Sequence, residues 1–374
     1  MTKTTHTSLR ALATRGALAL AISGAATVTA HAGGLDRAGM NVGVIFKEGN
    51  YAEISGAFVS PSVSGVDSDG DSTGNIAESY TTFSGALRYE INDKLSISAI
   101  VDEPYGADID YPDGSNFTGT FGDVSSTGIA AIARYKINDS VSVHGGLRYI
   151  TLDTAARFQG DAFGGLSGYT YSGDGAGTAF LAGGAYEMPE IALRVALTYQ
   201  TGVDIDLDTT ESGPLGSGTS TTTAETPPRI LLDFQTGIAE GTLLFGSIQH
   251  VAWDGFRVSP NLLFTNGGGR HLVDLKSDAI TYRLGLGRRI NEQLSLASTV
   301  TYEASSGNEV SALAATDGTL QLGVGGTYRV SDMIEVAGGV SYIMPGDATV
   351  DTGSGAEFKD NSAIALGGRV GIYF

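Results

Sequence analysis

Six side chains between residues 67 and 78 carry the spacing of a calcium loop. Asp67, Asp69, Asp71, Thr73, Asn75 and Glu78 fall at positions 1, 3, 5, 7, 9 and 12 of that template. The template's glycine at position 6 is replaced by Ser72, and no helical pattern flanks the segment. Two readings therefore stand side by side: calcium held by Asp67, Asp69, Asp71 and Glu78, or a solvated acidic loop. Elsewhere the chemistry-bearing residues are scattered. His144, His250 and His271 are isolated, and none sits beside a serine motif that would make a nucleophile–base pair. The chain has 0 cysteines, which removes thiolate nucleophiles, thiolate metal sites and disulfides. Glycines 267 to 269 have no strand–loop–helix context and do not form a phosphate loop. No catalytic constellation and no cofactor are expected.

Composition narrows the class further. Lys3, Arg10 and Arg15 open the chain, a small apolar stretch runs from residue 16 to 26, and Ala30-His31-Ala32 resembles a cleavage site. Residues 1–32 thus read as a secretory signal peptide. Removing its three basic residues takes the formal charge from −19 to −22. So acidic a chain is not expected to bind nucleic acid, whose phosphates demand clustered Lys and Arg. No stretch approaches 18 consecutive apolar residues, so helical membrane spans are excluded. The 54 glycines follow no collagen period.

The remainder repeats one unit: an alternating run, a tight turn, a second alternating run, a long polar loop. Val141, Val143, Leu147 and Tyr149 fall on one face, against Ser142, His144, Gly146 and Arg148 on the other. Leu294, Leu296, Val300 and Tyr302 repeat the pattern, as do Ile334, Val336, Val340 and Tyr342. A period of two means strands with one apolar and one polar face. Asn92-Asp93, Asn138-Asp139, Asn291-Glu292 and Ser331-Asp332 sit between such runs as short hairpin turns. Tyr89, Tyr135, Tyr186 and Tyr328 lie just before four of the turns, at the height of an interfacial girdle. Fourteen strands are predicted: 51–60, 80–91, 94–103, 124–137, 140–155, 176–187, 190–203, 229–238, 242–253, 279–290, 294–304, 318–330, 334–344 and 362–374. Short turns on one side and long loops on the other predict an all-β fold, a 14-stranded antiparallel transmembrane β-barrel. A soluble sandwich or β-helix explains the alternation but not the short/long rhythm.

Several segments resemble the FadL/TodX-type outer-membrane transporters of long-chain fatty acids and hydrophobic compounds. Gly34-Leu35-Asp36-Arg37-Ala38-Gly39 is similar to the family's glycine-rich start. Ala156-Arg157-Phe158-Gln159-Gly160-Asp161 resembles the end of its fifth strand. Trp253-Asp254-Gly255-Phe256 resembles the end of its ninth, and Pro104-Tyr105-Gly106 sits where its third strand leaves the membrane. The terminal Phe374 on an alternating strand is similar to a barrel-assembly signal. The resemblance spans residues 33–374 as a rhythm and short patches as motifs. Residues 33–50 would be a short N-terminal hatch (plug) inside the lumen, followed by the barrel over 51–374. The family's Asn-Pro-Ala segment is missing there, which leaves the manner of closure open.

The resemblance implies passive uptake of hydrophobic small molecules such as fatty acids by a monomer in the bacterial outer membrane, amid lipid and lipopolysaccharide. Arg157 is the expected partner of a substrate carboxylate, the alternative being a lumen arginine paired with one of the chain's many acids. Tyr105, Phe158, Phe163, Leu166, Phe256, Leu262, Leu263 and Phe264 are the expected apolar ligand-binding residues. Their alternative is packing between loops. Pro104 and Gly106 would loosen the third strand into a lateral gate, since proline lacks a ladder donor and glycine tolerates unusual backbone. Arg148, Arg194, Arg283 and Arg369 share the inward parity and are expected to balance interior carboxylates such as Glu335. A small-solute porin and a surface adhesin or structural barrel are the alternatives; a porin needs an open wet lumen.

Overall fold

The computed structural model describes residues 35–37, 39–350 and 355–374. The expected signal peptide, and Gly33, Gly34 and Ala38 of the expected hatch, lie outside the described residues. Among the described residues, fourteen long antiparallel strands close into a barrel. In chain order they are β1 (Tyr51–Ser62), β2 (Tyr80–Glu90), β3 (Leu95–Asp102), β4 (Phe121–Lys136), β5 (Val141–Phe158), β6 (Tyr169–Met188) and β7 (Leu193–Gln200). Then follow β8 (Arg229–Ala239), β9 (Thr242–Val251), β10 (Ala279–Arg289), β11 (Leu294–Glu303), β12 (Thr319–Arg329), β13 (Ile334–Pro345) and β14 (Ser362–Tyr373). Each pairs with the next, and β14 closes on β1 from Tyr51↔Tyr373 to Ser62↔Ser362. Closure matters because an open edge would leave a row of backbone donors and acceptors unpaired in lipid.

The period of two becomes an inside-out molecule. Leu147, Tyr149, Leu284, Leu296, Val324 and Leu366 face outward and are exposed, while Arg88, Arg148, Arg194, Gln321 and Glu335 are buried inside. Tyr89, Tyr135, Tyr186 and Tyr328 are exposed beside the short turns, and Tyr149, Tyr199, Tyr282, Tyr302 and Tyr342 are exposed toward the loops. Two aromatic belts bracketing an apolar band are what a bilayer with polar interfaces selects.

The wall is taller than the alternation suggested between β4 and β6. Those strands continue to Phe121, Phe158 and Tyr169, so much of the expected loops 104–123 and 156–175 is strand. The expected loop 204–228 is likewise a hairpin, Val203–Ser212 with Gly218–Thr226, which extends the wall by pairing with β6. Val203, Ile205 and Leu207 face inward and are buried, while Asp204, Asp206 and Asp208 face out. Over the mouth, Ser64–Val66, Ser72–Asn75, Ala348–Thr349 and Glu357–Phe358 knit two loops into a small sheet.

Candidate functional site

The third strand breaks where proline and glycine were expected to disturb it. β3 ends at Asp102, and pairing with β4 resumes only at Gly106–Asp110. Between them, the Tyr105 N–H donates to Ser126 Oγ at 2.8 Å and the same hydroxyl donates to the Tyr105 carbonyl at 2.7 Å. The Tyr105 N–H is thus satisfied within the break, and Pro104 has none to satisfy. On the other flank, β2 pairs with β3 only from Gly85 to Glu90. Among the described residues, 80–84 form ladder pairs with β1 and none with β3; the Glu103 carboxylate accepts a hydrogen bond from the Phe83 backbone across the gap. Pairing returns above, where Glu78 N–H donates to Asp108 O at 3.1 Å and Asp110 N–H to Ile76 O at 2.8 Å. The wall thus has a window, bounded by residues 80–84 and 102–107.

An arm of three residues lies across this window from inside. Arg37 N–H donates to Pro104 O and Gly106 N–H to Leu35 O, both at 2.9 Å, with Asp36 opposite Tyr105. The arm supplies the partners that the broken strand lacks. Arg37 fills the window. Its guanidinium lies 4.3 Å from the Tyr80 ring centre and forms an ion pair with Asp108. A side chain at Gly106 would collide with the Arg37 side chain where it lies, so a larger residue there would have to displace it. Asp36 is clamped from across the lumen: Arg229 Nη2 donates to Asp36 Oδ1 at 2.9 Å and to Tyr105 Oη at 3.0 Å. Beside it, Asp102, Arg148 and Gln200 form a second buried polar chain, and Gln200 is the register partner of Arg229.

The arm separates two unlike spaces. Above lies an apolar cavity of about 60 Å³, lined by Leu35, Ala107, Val124, Leu152, Leu207, Phe256, Leu272 and Leu313, with Asp123 the one charged residue of its lining. Below lies a cavity of about 240 Å³ whose walls carry Arg37, Glu53, Glu103, Arg194, Asp233, Arg283 and Arg369, and which reaches Thr82 and Phe83 at the window. Its acids and bases are largely paired: Arg194 with Asp233 at 3.2 Å, Arg369 with Glu53 at 3.0 Å and Glu335 at 3.1 Å, Lys47 with Glu335 at 3.1 Å. The expected balance of interior arginines and carboxylates is present for Arg148, Arg194 and Arg369. Met40, Val42, Val44, Ile45 and Phe46 are buried against inward-facing Ile100, Ile132, Leu181 and Leu231. Phe46 also lies under the guanidinia of Arg134 and Arg194, at 4.6 and 4.5 Å.

The expected ligand residues separate into groups. Tyr105, Pro104 and Gly106 are at the window, and Phe256 lines the apolar cavity. Phe158, Phe163 and Leu166 are buried among loops instead. Phe158 stacks on Phe163 with centres 4.5 Å apart, and Phe163 meets Phe117 edge-on at 5.8 Å. Leu263 is fully buried in the short helix Asn261–Asn266, Leu262 is half-buried, and Phe264 is 46% exposed. Glu211 fixes that helix by accepting the N–H groups of Leu262 and Leu263 at 2.9 and 3.0 Å. Arg157 is not brought to the cavity. It shares the outward parity of Leu147 and Tyr149, donates from Nε to Gly119 O at 2.8 Å and lies over the Phe121 ring.

The calcium template is not assembled either. Asp67 Oδ1 accepts the N–H groups of Asp69 and Asp71, and Oδ2 accepts that of Asn116. Burial alone would raise this carboxyl's pKa, but these backbone donors outweigh it and hold the group below the usual 3.8. Thr73 turns inward to Gly65, and among the described residues no cluster of three or more acids or histidines is placed to hold a metal. Asp67, Asp69 and Asp71 lie in the turn between the short strands Ser64–Val66 and Ser72–Asn75, where Asp67 and Asp69 accept hydrogen bonds from Asn116.

A lipid-facing barrel, a broken strand and an apolar antechamber are the architecture of an outer-membrane transport protein for hydrophobic compounds. The chain belongs to the outer membrane protein transport protein family (OMPP1/FadL/TodX), whose model matches residues 2–370. Among curated proteins no sequence matches significantly. Solved structures show the shared fold. A Pseudomonas aeruginosa FadL homologue aligns with TM-score 0.73 at 12% identity, covering 89% of this chain and 92% of its own. The toluene transporter TbuX of Ralstonia pickettii gives 0.62 at 15% identity, over 88% and 90%. The toluene transporter TodX of Pseudomonas putida gives 0.63 at 12%, over 87% and 90%.

Proposed function

We propose that the barrel takes up amphipathic hydrophobic molecules, long-chain fatty acids foremost, from the loop side and releases them sideways through the window between β2 and the resumed third strand. One observation carries this reading: the lining changes from apolar to charged at the arm, at the height where the wall is unpaired. An alkyl chain gains about 0.8 kcal/mol per CH₂ buried in an apolar space. It would forfeit that in the charged lower cavity, whereas the window leads to lipid. The apolar cavity, at about 60 Å³, is smaller than the roughly 150 Å³ that houses benzene in a protein core. The described conformation is on this reading a closed one, with residues 35–37 and 39–50 acting as the hatch.

A second reading, transport of neutral hydrocarbons, is favoured by the absence of any cation from the lining of the apolar cavity. Both are tested in cells carrying the barrel or an empty vector, with radiolabelled palmitate and toluene taken up in competition. Saturable palmitate uptake supports the first reading; toluene uptake that palmitate does not compete with supports the second. A photoreactive fatty acid then reports the route. Lateral release predicts labelling of Phe83, while labelling near Gln249 and Thr301 would sink it in favour of a passage straight down the lumen.

A further inference from the structure

Arg229 holds two donors that nothing among the described residues satisfies. The side chain is buried, at 1% exposure. Its Nη2 serves Asp36 and Tyr105, but Nε and Nη1 are equally buried and have no hydrogen-bond partner among the described residues. A guanidinium presents a planar fork that a carboxylate matches with two oxygens, yet Asp36 meets it through Nη2 alone. The apolar cavity is close by but not open to it: Phe256 of its lining packs on Trp253 at 5.1 Å, Trp253 on Tyr105 at 6.2 Å, and the Arg229 guanidinium lies 5.5 Å from the Tyr105 ring centre, so these buried rings must part before a ligand reaches it.

We propose that Arg229 is the binding site for the carboxylate of an amphipathic acid arriving from the apolar cavity, and that this carboxylate replaces Asp36 as its counter-ion. The proposal rests on the uptake reading above and deepens it. Exchange of one carboxylate for another leaves the buried charge unchanged. Asp36 is then free to leave, and with it Leu35 and Arg37, which flank it and wall the two cavities. A neutral hydrocarbon has no group to offer. Withdrawal of Asp36 in its presence would leave a buried guanidinium unpaired, the costly outcome for any buried ion pair. The pair thus reads the chemical class of the ligand and couples it to the arm.

The only tryptophan of the chain, Trp253, reports on this place. Its fluorescence is titrated with dodecanoate and with dodecanol, equal in chain length, in the full-length barrel, Asp36→Asn and Arg229→Gln, each checked for heat-modifiable migration as a folded barrel. The quantity read is the ratio of the two affinities. Wild type is expected to favour the acid by roughly 10- to 100-fold, the scale of a charged hydrogen bond. Asp36→Asn, on the arm and outside the barrel wall, is expected to raise that preference, and Arg229→Gln to abolish it. An unchanged preference in either variant, or dodecanol binding with no acid preference in wild type, overturns the proposal alone. Failure of wild type to bind either probe overturns the uptake reading and the proposal together. As an arm readout, dodecanoate but not dodecanol is expected to speed maleimide labelling of Thr82→Cys, beneath the arm. Equal acceleration by both would refute the exchange.

Discussion

Replacing Arg37 with alanine is expected to unseat the arm while leaving the barrel intact. The side chain contributes an ion pair to Asp108, with the two side chains 11% and 24% exposed, and a cation–π contact with Tyr80 at 4.3 Å. At that partial burial the ion pair is worth about 1–2 kcal/mol, and the ring contact about 1 kcal/mol. Together they amount to about 2–3 kcal/mol, or roughly 30- to 150-fold in the ratio of docked to undocked arm. The two backbone bonds of the arm and the Asp36–Arg229 pair remain, so docking is weakened and not lost. The chain has 0 cysteines, so Thr82→Cys places a unique thiol in the cavity wall beside the window. When undocking is fast relative to the chemistry, the maleimide rate follows the undocked fraction. Arg37→Ala in that background should therefore label roughly 30- to 150-fold faster. A change below about threefold would mean that Arg37 does not hold the window shut, and the closed-arm account would fail.

Leu284 faces outward in β10, and Leu284→Arg should cost about 2–4 kcal/mol if the residue lies at mid-bilayer, read as a lower unfolding midpoint in lipid vesicles. Glu211→Ala removes the acceptor of two helix N–H groups. It should weaken the helix Asn261–Asn266 by about 1–2 kcal/mol, seen as faster hydrogen exchange at Leu262 and Leu263. The carboxyl of Asp67 is held below its usual 3.8 when folded, so its stabilisation is full above that value and is lost as pH falls through the lower folded value. Exchange in residues 64–75 should therefore accelerate on acidification below about 4, and Asp67→Asn should remove the dependence. Chelation of calcium should leave protease sensitivity of residues 61–79 unchanged, since among the described residues the acids there do not gather into a cluster that could hold a metal.

The barrel was legible because its two signals are local. Alternation fixes which face each residue takes, and paired polar residues between alternating runs fix the turns; all fourteen strands lie where that rhythm puts them. The extension at 203–226 carries the same alternation, Val203, Ile205 and Leu207 against Asp204, Asp206 and Asp208, but its Thr- and Ser-rich composition masked it as loop. Parity also argued against Arg157, which stands one residue away from inward-facing Phe158; a motif likeness outweighed it. The clamp was not legible, because Asp36 and Arg229 are 193 residues apart and their pairing depends on barrel closure and on the arm crossing the lumen. Only the inward parity that Arg229 shares with Leu231 and Asp233 hinted at it.

The strands that close the cylinder are the first and the last, Tyr51 lying against Tyr373. Until β14 exists, every shorter chain has two raw borders, and no arrangement of its strands can hide them from one another or from neighbouring copies. The alternation adds to the difficulty, for its apolar half finds no partner in water and its polar half none in oil. Mean hydropathy stays at +0.05, low enough for the growing polypeptide to slip past any machinery that retains greasy helices. Assembly must then happen late and nearly at once, at the rim of a bilayer, with the final dozen residues as the piece that turns a sheet into a tube.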